Sequence, residues 1–186
     1  WHSDGVTTAL EPVSFRHGPD MPNRLMLAPL TNCQSHPDGT LSDEEHHWLA
    51  MRAEGGFGLT MTCAAHVQAG GQGFPGQLGV FGDEHLPGLT RLAADLNAAG
   101  TVSYVQLHHA GMRSPADLIG MQPVCPSDDP DTGSRALTVD EVLDHDAAHL
   151  PVVHDAARAA GAHLELELVA QPGGQLRFVA HRRPQL

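Results

Sequence analysis

The chain has 186 residues, 41% of them hydrophobic, and a net charge of -12 from 22 acidic residues against ten arginines. That length and apolar fraction suit one ordinary globular domain with its own core. The acidic balance argues against nucleic acid or an anionic membrane as a partner, because both need clustered positive charge. No apolar run approaches the roughly 20 residues that span a bilayer, and three widely spaced cysteines favour a reducing, cytoplasmic location.

Apolar runs alternate with helix signals from the first strand onward. Residues 24–29 predict a short buried strand that a proline ends. Ser42 and Glu45 form a capping-box pattern, in which a hydroxyl and a carboxylate satisfy amides of the first helical turn. We expect that helix to end at Gly55, because glycine commonly terminates helices. A second strand is predicted over residues 57–64.

The same order of elements continues toward the C-terminus. A second helix is predicted to begin at Asp83 and to end at Gly100, and a third strand covers 101–107. A second capping box at Thr138 begins a third helix. Residues 164–169 are the candidate fourth strand.

Strands separated by helices indicate βαβ units and a parallel sheet. A (β/α)8 barrel takes roughly 250 residues, so about four βα units predict an α/β fold that is the N-terminal part of a TIM barrel, incomplete in this chain. We divide the chain into an N-terminal extension (1–23), a partial barrel (24–169) and an irregular tail (170–186). A flavodoxin-like doubly wound sheet is the alternative, but no GxGxxG turn follows the first strand.

Four motifs lie in register with these elements: NRLMLAPLT at 23–31, RAEGGFGL at 52–59, GVFGDEH at 79–85 and QLHHAG at 106–111. In order and spacing they resemble the old yellow enzyme family, the FMN-dependent NAD(P)H:flavin oxidoreductases. The resemblance implies that FMN binds at the mouth of the barrel. It also implies that a hydride passes from NAD(P)H through the flavin to an activated alkene, typically an α,β-unsaturated carbonyl compound.

The resemblance assigns the FMN contacts to the carboxyl ends of the three strands, the face where barrel enzymes build their active sites. The Thr31 hydroxyl would hydrogen-bond the flavin carbonyl beside the reactive nitrogen, and the Gln106 amide would pair with the pyrimidine edge. Ala64 would offer a backbone contact, although a small core residue is an equal alternative there. The assigned contacts are Ala28, Pro29, Leu30, Thr31, Ala64 and Gln106.

Two residues are assigned to the small-molecule substrate. Cys33 follows Thr31 by two positions and could face the substrate cavity, the alternative being a small buried thiol. His109 is the histidine of the HAG motif, either in contact with the site or supporting it. No catalytic residue is assigned within the chain, because the resemblance places the flavin-facing arginine, the proton-donor tyrosine and the phosphate site beyond residue 186.

The sequence departs from the family pattern at four places. Met112 stands where the family has arginine, Pro151 interrupts the third helix, and the helix end at 156–161 is short. Glu167 occupies the place of the first substrate-anchoring histidine after the fourth strand, and an ionised carboxylate cannot donate a hydrogen bond to an enone oxygen. These departures predict a truncated or frameshifted fragment that is inactive or incomplete.

Two other functions stay open. A non-catalytic half-barrel remnant or binding module would bind no flavin, and it would fold alone or as a half-barrel dimer, a possible homo-oligomer in which unpaired sheet edges provide the self-association interface. A histidine-rich metal-binding module would use pairs such as His145 and His149, which have helical i,i+4 spacing. The sequence has no HExxH or CxxC motif, so we predict no metal site.

Overall fold

The computed structural model of the protein describes residues 8–16, 18–142, 165–170 and 176–181. The elements follow in chain order: β1 (Met26–Leu27), α1 (Asp43–Glu54), β2 (Leu59–His66), α2 (Leu86–Ala98), β3 (Val102–His108), α3 (Ala116–Ile119), β4 (Val124–Cys125), β5 (Arg135–Ala136), β6 (Glu165–Ala170) and β7 (Leu176–His181). Short 3-10 turns occupy Ala69–Gly71, Asp83–His85 and Gly111–Arg113. No described helix is long and apolar enough to cross a membrane.

A three-stranded parallel sheet in the order β1-β2-β3 forms the centre of the molecule. β1 pairs with β2 at Met26 and Leu59, and Leu59 in turn pairs with Val102 of β3. Successive strands are therefore spatial neighbours, as in a barrel, whereas a flavodoxin-like sheet places its first strand between the second and the third. The predicted parallel α/β arrangement is confirmed, and the carboxyl ends of all three strands meet at one edge.

Helix α1 begins and ends where the local sequence signals predict. The Ser42 hydroxyl accepts a hydrogen bond of 3.1 Å from the Glu45 amide, which satisfies one free N–H of the first turn. The C-terminal turn closes at Gly55, and Gly56 then adopts a φ of 95° that favours glycine. Leu49 is fully buried on the face of the helix that packs toward the sheet.

The second half of the predicted capping box is wrong. The Glu45 carboxylate turns into the interior instead of reaching back to the Ser42 amide, and its side chain is fully buried. There it accepts hydrogen bonds from Ser35 and Cys63, which belong to other elements. Hydrogen bonds to residues distant in the sequence therefore replace the capping hydrogen bond that was predicted for this carboxylate.

Helix α2 packs its apolar face on the sheet beside α1. It follows the 3-10 turn at Asp83–His85, and Gly100 ends it with a φ of 83°. Leu89, Leu92 and Leu96 recur at helical spacing and are buried in the core cluster. Each contributes about 1.5–3 kcal/mol by leaving water, so this stripe holds the helix on the sheet.

A β-bulge lies between β2 and β3 near their carboxyl ends. The register shifts between Met61 and Ala64, so that Ala64 pairs with Gln106. At the bulge the Thr62 hydroxyl takes part in the hydrogen bonding between the strands. It donates to the Cys63 carbonyl (2.8 Å) and accepts from the Gln106 amide (3.2 Å). Bulges change the direction of side chains at the ends of barrel strands, and this one sets the pairing of Ala64 with Gln106.

The capping box predicted at Thr138 is present in full. The Glu141 amide donates to the Thr138 hydroxyl (3.2 Å), and the Glu141 carboxylate accepts from the Thr138 amide (2.8 Å). Residues 139–142 are helical. The rest of this predicted helix, with Pro151, 156–161 and the histidines at 145 and 149, lies outside the described residues.

The predicted fourth barrel strand forms but does not join the parallel sheet. β6 pairs antiparallel with β7 in a separate two-stranded sheet, from Glu165 opposite His181 to Ala170 opposite Leu176. Glutamate and leucine alternate over 165–168, whereas a barrel strand covered on both faces has a continuous apolar run. The segment predicted as an irregular tail therefore contains a strand.

Candidate functional site

The assigned cofactor residues lie where the three parallel strands end. Ala28–Thr31 follow β1 directly, while Ala64 and Gln106 lie near the ends of β2 and β3. Among them the structure brings Ala64 and Gln106 together as register partners on adjacent strands. Ala28, Leu30 and Thr31 are exposed, and Pro29 is partly buried.

Gln106, near the end of β3, has a side-chain amide that can bind a ligand. Its backbone amide is bound to Thr62, and its side chain is partly buried. Within the part of the chain that the structure describes, the Gln106 side-chain amide has no hydrogen-bond partner. The polar atoms of this amide are not among the buried atoms that lack a partner, so they can be reached from outside the protein and are available to a polar ring edge.

The loop after β1 is held by backbone contacts against the glycine-rich segment that covers residues 70–76. The Ser35 amide donates to the Gly76 carbonyl (3.0 Å), and a Cβ at Gly76 would lie 2.8 Å from the Cys33 carbonyl carbon. Cys33 has a φ of 54°, uncommon for a residue with a side chain. Its thiol is exposed, so the interpretation of Cys33 as a small buried thiol is wrong.

Gln77, which no sequence motif indicated, joins the ends of β2 and β3. It is fully buried, and its Oε1 atom accepts from the Gly73 amide at 2.7 Å. Its Nε2 atom donates to the Ala64 carbonyl (2.9 Å) and to Nδ1 of His108 (3.1 Å). Because Nδ1 of His108 accepts this hydrogen bond, the neutral ring carries its proton on Nε2. Burial lowers the pKa of His108.

His109 is fixed by hydrogen bonds at both ring nitrogens. Nδ1 accepts from the Gly111 amide (3.0 Å), so Nε2 carries the proton and donates to the Gln68 side-chain oxygen (3.2 Å). The ring lies so close to Gly71 that a Cβ there would overlap it. The histidine therefore supports the turn that follows β3.

His66, at the end of β2, is buried against aromatic neighbours. Its Nδ1 atom donates to the Gln68 carbonyl at 3.0 Å, and its ring centroid lies 4.9 Å from that of Phe81. The same Phe81 ring lies 4.6 Å from that of His85. Burial lowers the pKa of His66 and so favours its neutral form.

The described ranges contain no set of side chains that could bind a metal ion. No group of three or more His, Cys, Asp and Glu side chains there is arranged to hold an ion. Five of the described histidines (His46, His66, His85, His108 and His109) instead bind carbonyl, amide or carboxylate groups of the protein, as His46 does with Asp95 (2.9 Å).

Sequence comparisons relate the chain to known proteins. The model of the NADH:flavin oxidoreductase / NADH oxidase family matches residues 10–160. The probable NADH-dependent flavin oxidoreductase YqiG of Bacillus subtilis (strain 168) is 39% identical over 136 residues, which are 71% of this chain and 36% of that protein. The NADH:fumarate oxidoreductase of Klebsiella pneumoniae (strain 342) is 34% identical over 63% of this chain and 13% of its own length.

Structural comparisons give the same result. A 2-naphthoyl-CoA reductase in complex with 2-naphthoyl-CoA superposes with a TM-score of 0.75 and 26% identity, covering 82% of this chain and 26% of that one. The old yellow enzyme homologue from Zymomonas mobilis gives a TM-score of 0.69 and 26% identity over 83% of this chain and 46% of its own.

The chain thus spans well under two thirds of the length of these relatives, and the prediction of a partial (β/α)8 barrel is confirmed. FMN-dependent oxidoreduction with NAD(P)H is the chemistry of this family. The match covers most of the chain and all three strands whose ends carry the candidate site. The chain belongs to the NADH:flavin oxidoreductase / NADH oxidase family.

Proposed function

We propose that the protein binds FMN at the carboxyl edge of the β1-β2-β3 sheet and uses NAD(P)H to reduce an activated alkene such as an α,β-unsaturated carbonyl compound. The observation that carries the proposal is the Gln106 side-chain amide, which is partly buried and unpaired among the described residues. The pyrimidine edge of a flavin offers donors and acceptors in one plane. An amide side chain, with one acceptor and two donors, is complementary to such an edge.

The neighbours of Gln106 leave room for a flat ring. Ala64, its register partner, has only a methyl side chain, and its carbonyl is already engaged by Gln77. A carbonyl oxygen has two lone pairs, so the backbone contact proposed for Ala64 can still use this carbonyl. Ala28, Pro29 and Leu30 supply small or apolar surface at the end of the adjacent strand, which suits the face of an aromatic ring.

Polar groups of the loop after β1 would act on the reactive edge of the ring. The exposed Thr31 hydroxyl can donate a hydrogen bond to a carbonyl and so favour negative charge on it. The exposed Cys33 thiol lies on the same loop, and we place it with His109 on the substrate side, where His109, whose two ring nitrogens are hydrogen-bonded to the protein, supports the site. Bound FMN would supply the hydride transfer, while these residues bind and orient the reactants.

Titration of the full chain with FMN, followed by quenching of flavin fluorescence, tests the proposal. Removing one hydrogen-bonding partner of a bound group weakens affinity by roughly tenfold, so we expect that change for Gln106→Ala. The matched control is Gln122→Ala, which removes an exposed amide whose partner is the Gly133 carbonyl. No FMN binding, or equal affinity in Gln106→Ala, contradicts the proposed site.

Oxidation of NAD(P)H in the presence of an enone separates catalysis from binding. The enzyme function predicts that the FMN complex oxidises NAD(P)H and consumes the alkene. FMN binding without either reaction contradicts the proposed activity but not the proposed cofactor site, and absence of FMN binding supports the alternative of a non-catalytic remnant or binding module.

A further inference from the structure

A buried carboxylate lies behind the loop that carries the candidate flavin contacts. Glu45, in the first turn of α1, has no exposed surface, and both of its oxygens accept hydrogen bonds. The Ser35 hydroxyl donates to Oε2, and the Cys63 thiol donates to Oε1 at 2.7 Å. Among the described residues no arginine or histidine forms an ion pair with it, so these two donors replace the water that it has lost.

The two donors come from elements on either side of the site. Ser35 belongs to the loop after β1, and Cys63 lies in β2 immediately before Ala64. Burial and the neighbouring Glu45 carboxylate raise the pKa of Cys63, which keeps its proton on sulfur for this hydrogen bond. One carboxylate thus connects the loop, helix α1 and β2.

The segment from Ala28 to Ser35 is consequently fixed at both ends. At its start, Leu27 pairs with Thr60 of β2. At its end, Ser35 is held by the Glu45 carboxylate through its hydroxyl and by the Gly76 carbonyl through its amide. Every cofactor residue assigned to this loop lies between these two anchors.

Packing alone does not explain a carboxylate at this position. A buried charged group costs several kcal/mol of desolvation, and apolar side chains of similar volume often stabilise a core as well or better. A carboxylate does fix the direction of its donors, because hydrogen bonds weaken steeply when they are misaligned. The arrangement favours precise placement of Ser35 over maximal stability.

We propose that Glu45 is a positioning residue, which acts through Ser35 to hold the Ala28–Thr31 segment at the distance that FMN binding requires. This inference rests on the proposed function and assigns to it a residue that does not touch the cofactor. Glu45→Gln keeps the size of the side chain but replaces one acceptor oxygen with an NH2 group, so one of the two hydrogen bonds must reverse its direction or be lost.

The test measures FMN affinity and the visible absorption spectrum of the bound flavin in the full chain. We expect roughly tenfold weaker binding in Glu45→Gln, with a shifted flavin band because the polar surroundings of the ring change. Glu44→Gln is the matched control, since it removes an exposed carboxylate from the same helical turn. Ser35→Ala is a milder second variant that should reproduce both effects if Glu45→Gln does not fold.

The combined variant distinguishes positioning from general destabilisation. If Glu45 acts through Ser35, Ser35→Ala adds little to the effect of Glu45→Gln, because both remove the same contact. An unchanged spectrum and affinity in Glu45→Gln and Ser35→Ala overturns the positioning role while the proposed function stands. Absence of FMN binding in the unmodified chain overturns both.

Discussion

The buried Gln77 side chain donates a hydrogen bond of 2.9 Å to the carbonyl oxygen of Ala64, the residue that pairs with Gln106 across β2 and β3. The same amide accepts from Gly73 and donates to His108. One side chain therefore ties the glycine-rich segment after β2 to the ends of both strands at the candidate site. Its loss affects three backbone or ring groups at once.

We expect Gln77→Leu to lower the free energy of unfolding by about 2–4 kcal/mol, because each buried group left without a partner costs about 1–3 kcal/mol. Leucine matches the volume of glutamine but makes no hydrogen bonds to Gly73 or Ala64. Urea unfolding followed by circular dichroism measures the change. Gln122→Leu removes an exposed amide and should stay within about 0.5 kcal/mol of the unmodified chain; similar losses in both variants would argue against a special role for Gln77.

A second prediction concerns the contact between Gly79 and His85. A Cβ at Gly79 would overlap Nε2 of the fully buried His85 ring and lie 2.8 Å from its Cδ2 atom. Because Phe81 packs on that ring, the ring cannot move away freely. We expect Gly79→Ala to destabilise the fold by about 1–3 kcal/mol, measured as a lower urea midpoint.

Gly70→Ala provides the comparison for this prediction. A Cβ at Gly70 would meet only the sulfur of Met121, at 3.0 Å, and an exposed methionine can change rotamer at little cost. Its urea midpoint should stay close to that of the unmodified chain. Equal losses in the two variants would mean that the His85 contact is not what excludes a side chain at Gly79.

Elements with strong local signals could be predicted from the sequence. Ser42 and Gly55 bound α1 as expected, and the spacing of Leu89, Leu92 and Leu96 identified the buried face of α2. Such signals act within one or two helical turns, so the sequence displays them directly. The predicted strands likewise placed Ala64 and Gln106 near strand ends, and the structure makes the two residues neighbours.

Contacts between residues that are distant in the sequence could not be predicted in the same way. Glu45 matches a capping box locally, but its carboxylate binds partners 10 and 18 residues away. Glu165–Ala170 has a strand signal, yet nothing in that signal specifies pairing with Leu176–His181 rather than with the barrel sheet. Gln77 belongs to no motif, and only the fold brings Ala64 and His108 to it.

We expect the Thr31 hydroxyl to affect the rate at which bound FMN is reduced more than it affects the affinity for FMN. Thr31→Val keeps the shape of the side chain and removes the hydroxyl, so negative charge near the reactive nitrogen loses a hydrogen bond. We expect several-fold slower reduction of the bound FMN by NAD(P)H, while FMN affinity changes less than in Gln106→Ala. Stopped-flow absorbance measures the rate, and Thr31→Ser, which keeps the hydroxyl, should restore it. An unchanged rate in Thr31→Val would remove this residue from the reactive edge.

The stability of the fold should fall on mild acidification because of its buried histidines. Burial lowers the pKa of His66 below the value of 6.5 that applies to the unfolded chain, and burial lowers the pKa of His108 as well. Below pH 6.5 the unfolded chain therefore binds protons that the folded chain does not, and unfolding is favoured. The stability that neutral His66 contributes is fully present above pH 6.5, and it is lost as the pH falls toward the lowered pKa of the folded state.

Urea unfolding between pH 7.5 and 5 measures this dependence. We expect the free energy of unfolding to decrease over the interval, and the decrease to be smaller in His66→Asn, because asparagine has no proton to gain. His47→Asn, which changes an exposed histidine of α1, should keep the slope of the unmodified chain. If His66→Asn retains the full slope, the pH dependence comes from other groups and the burial of neutral His66 does not govern it.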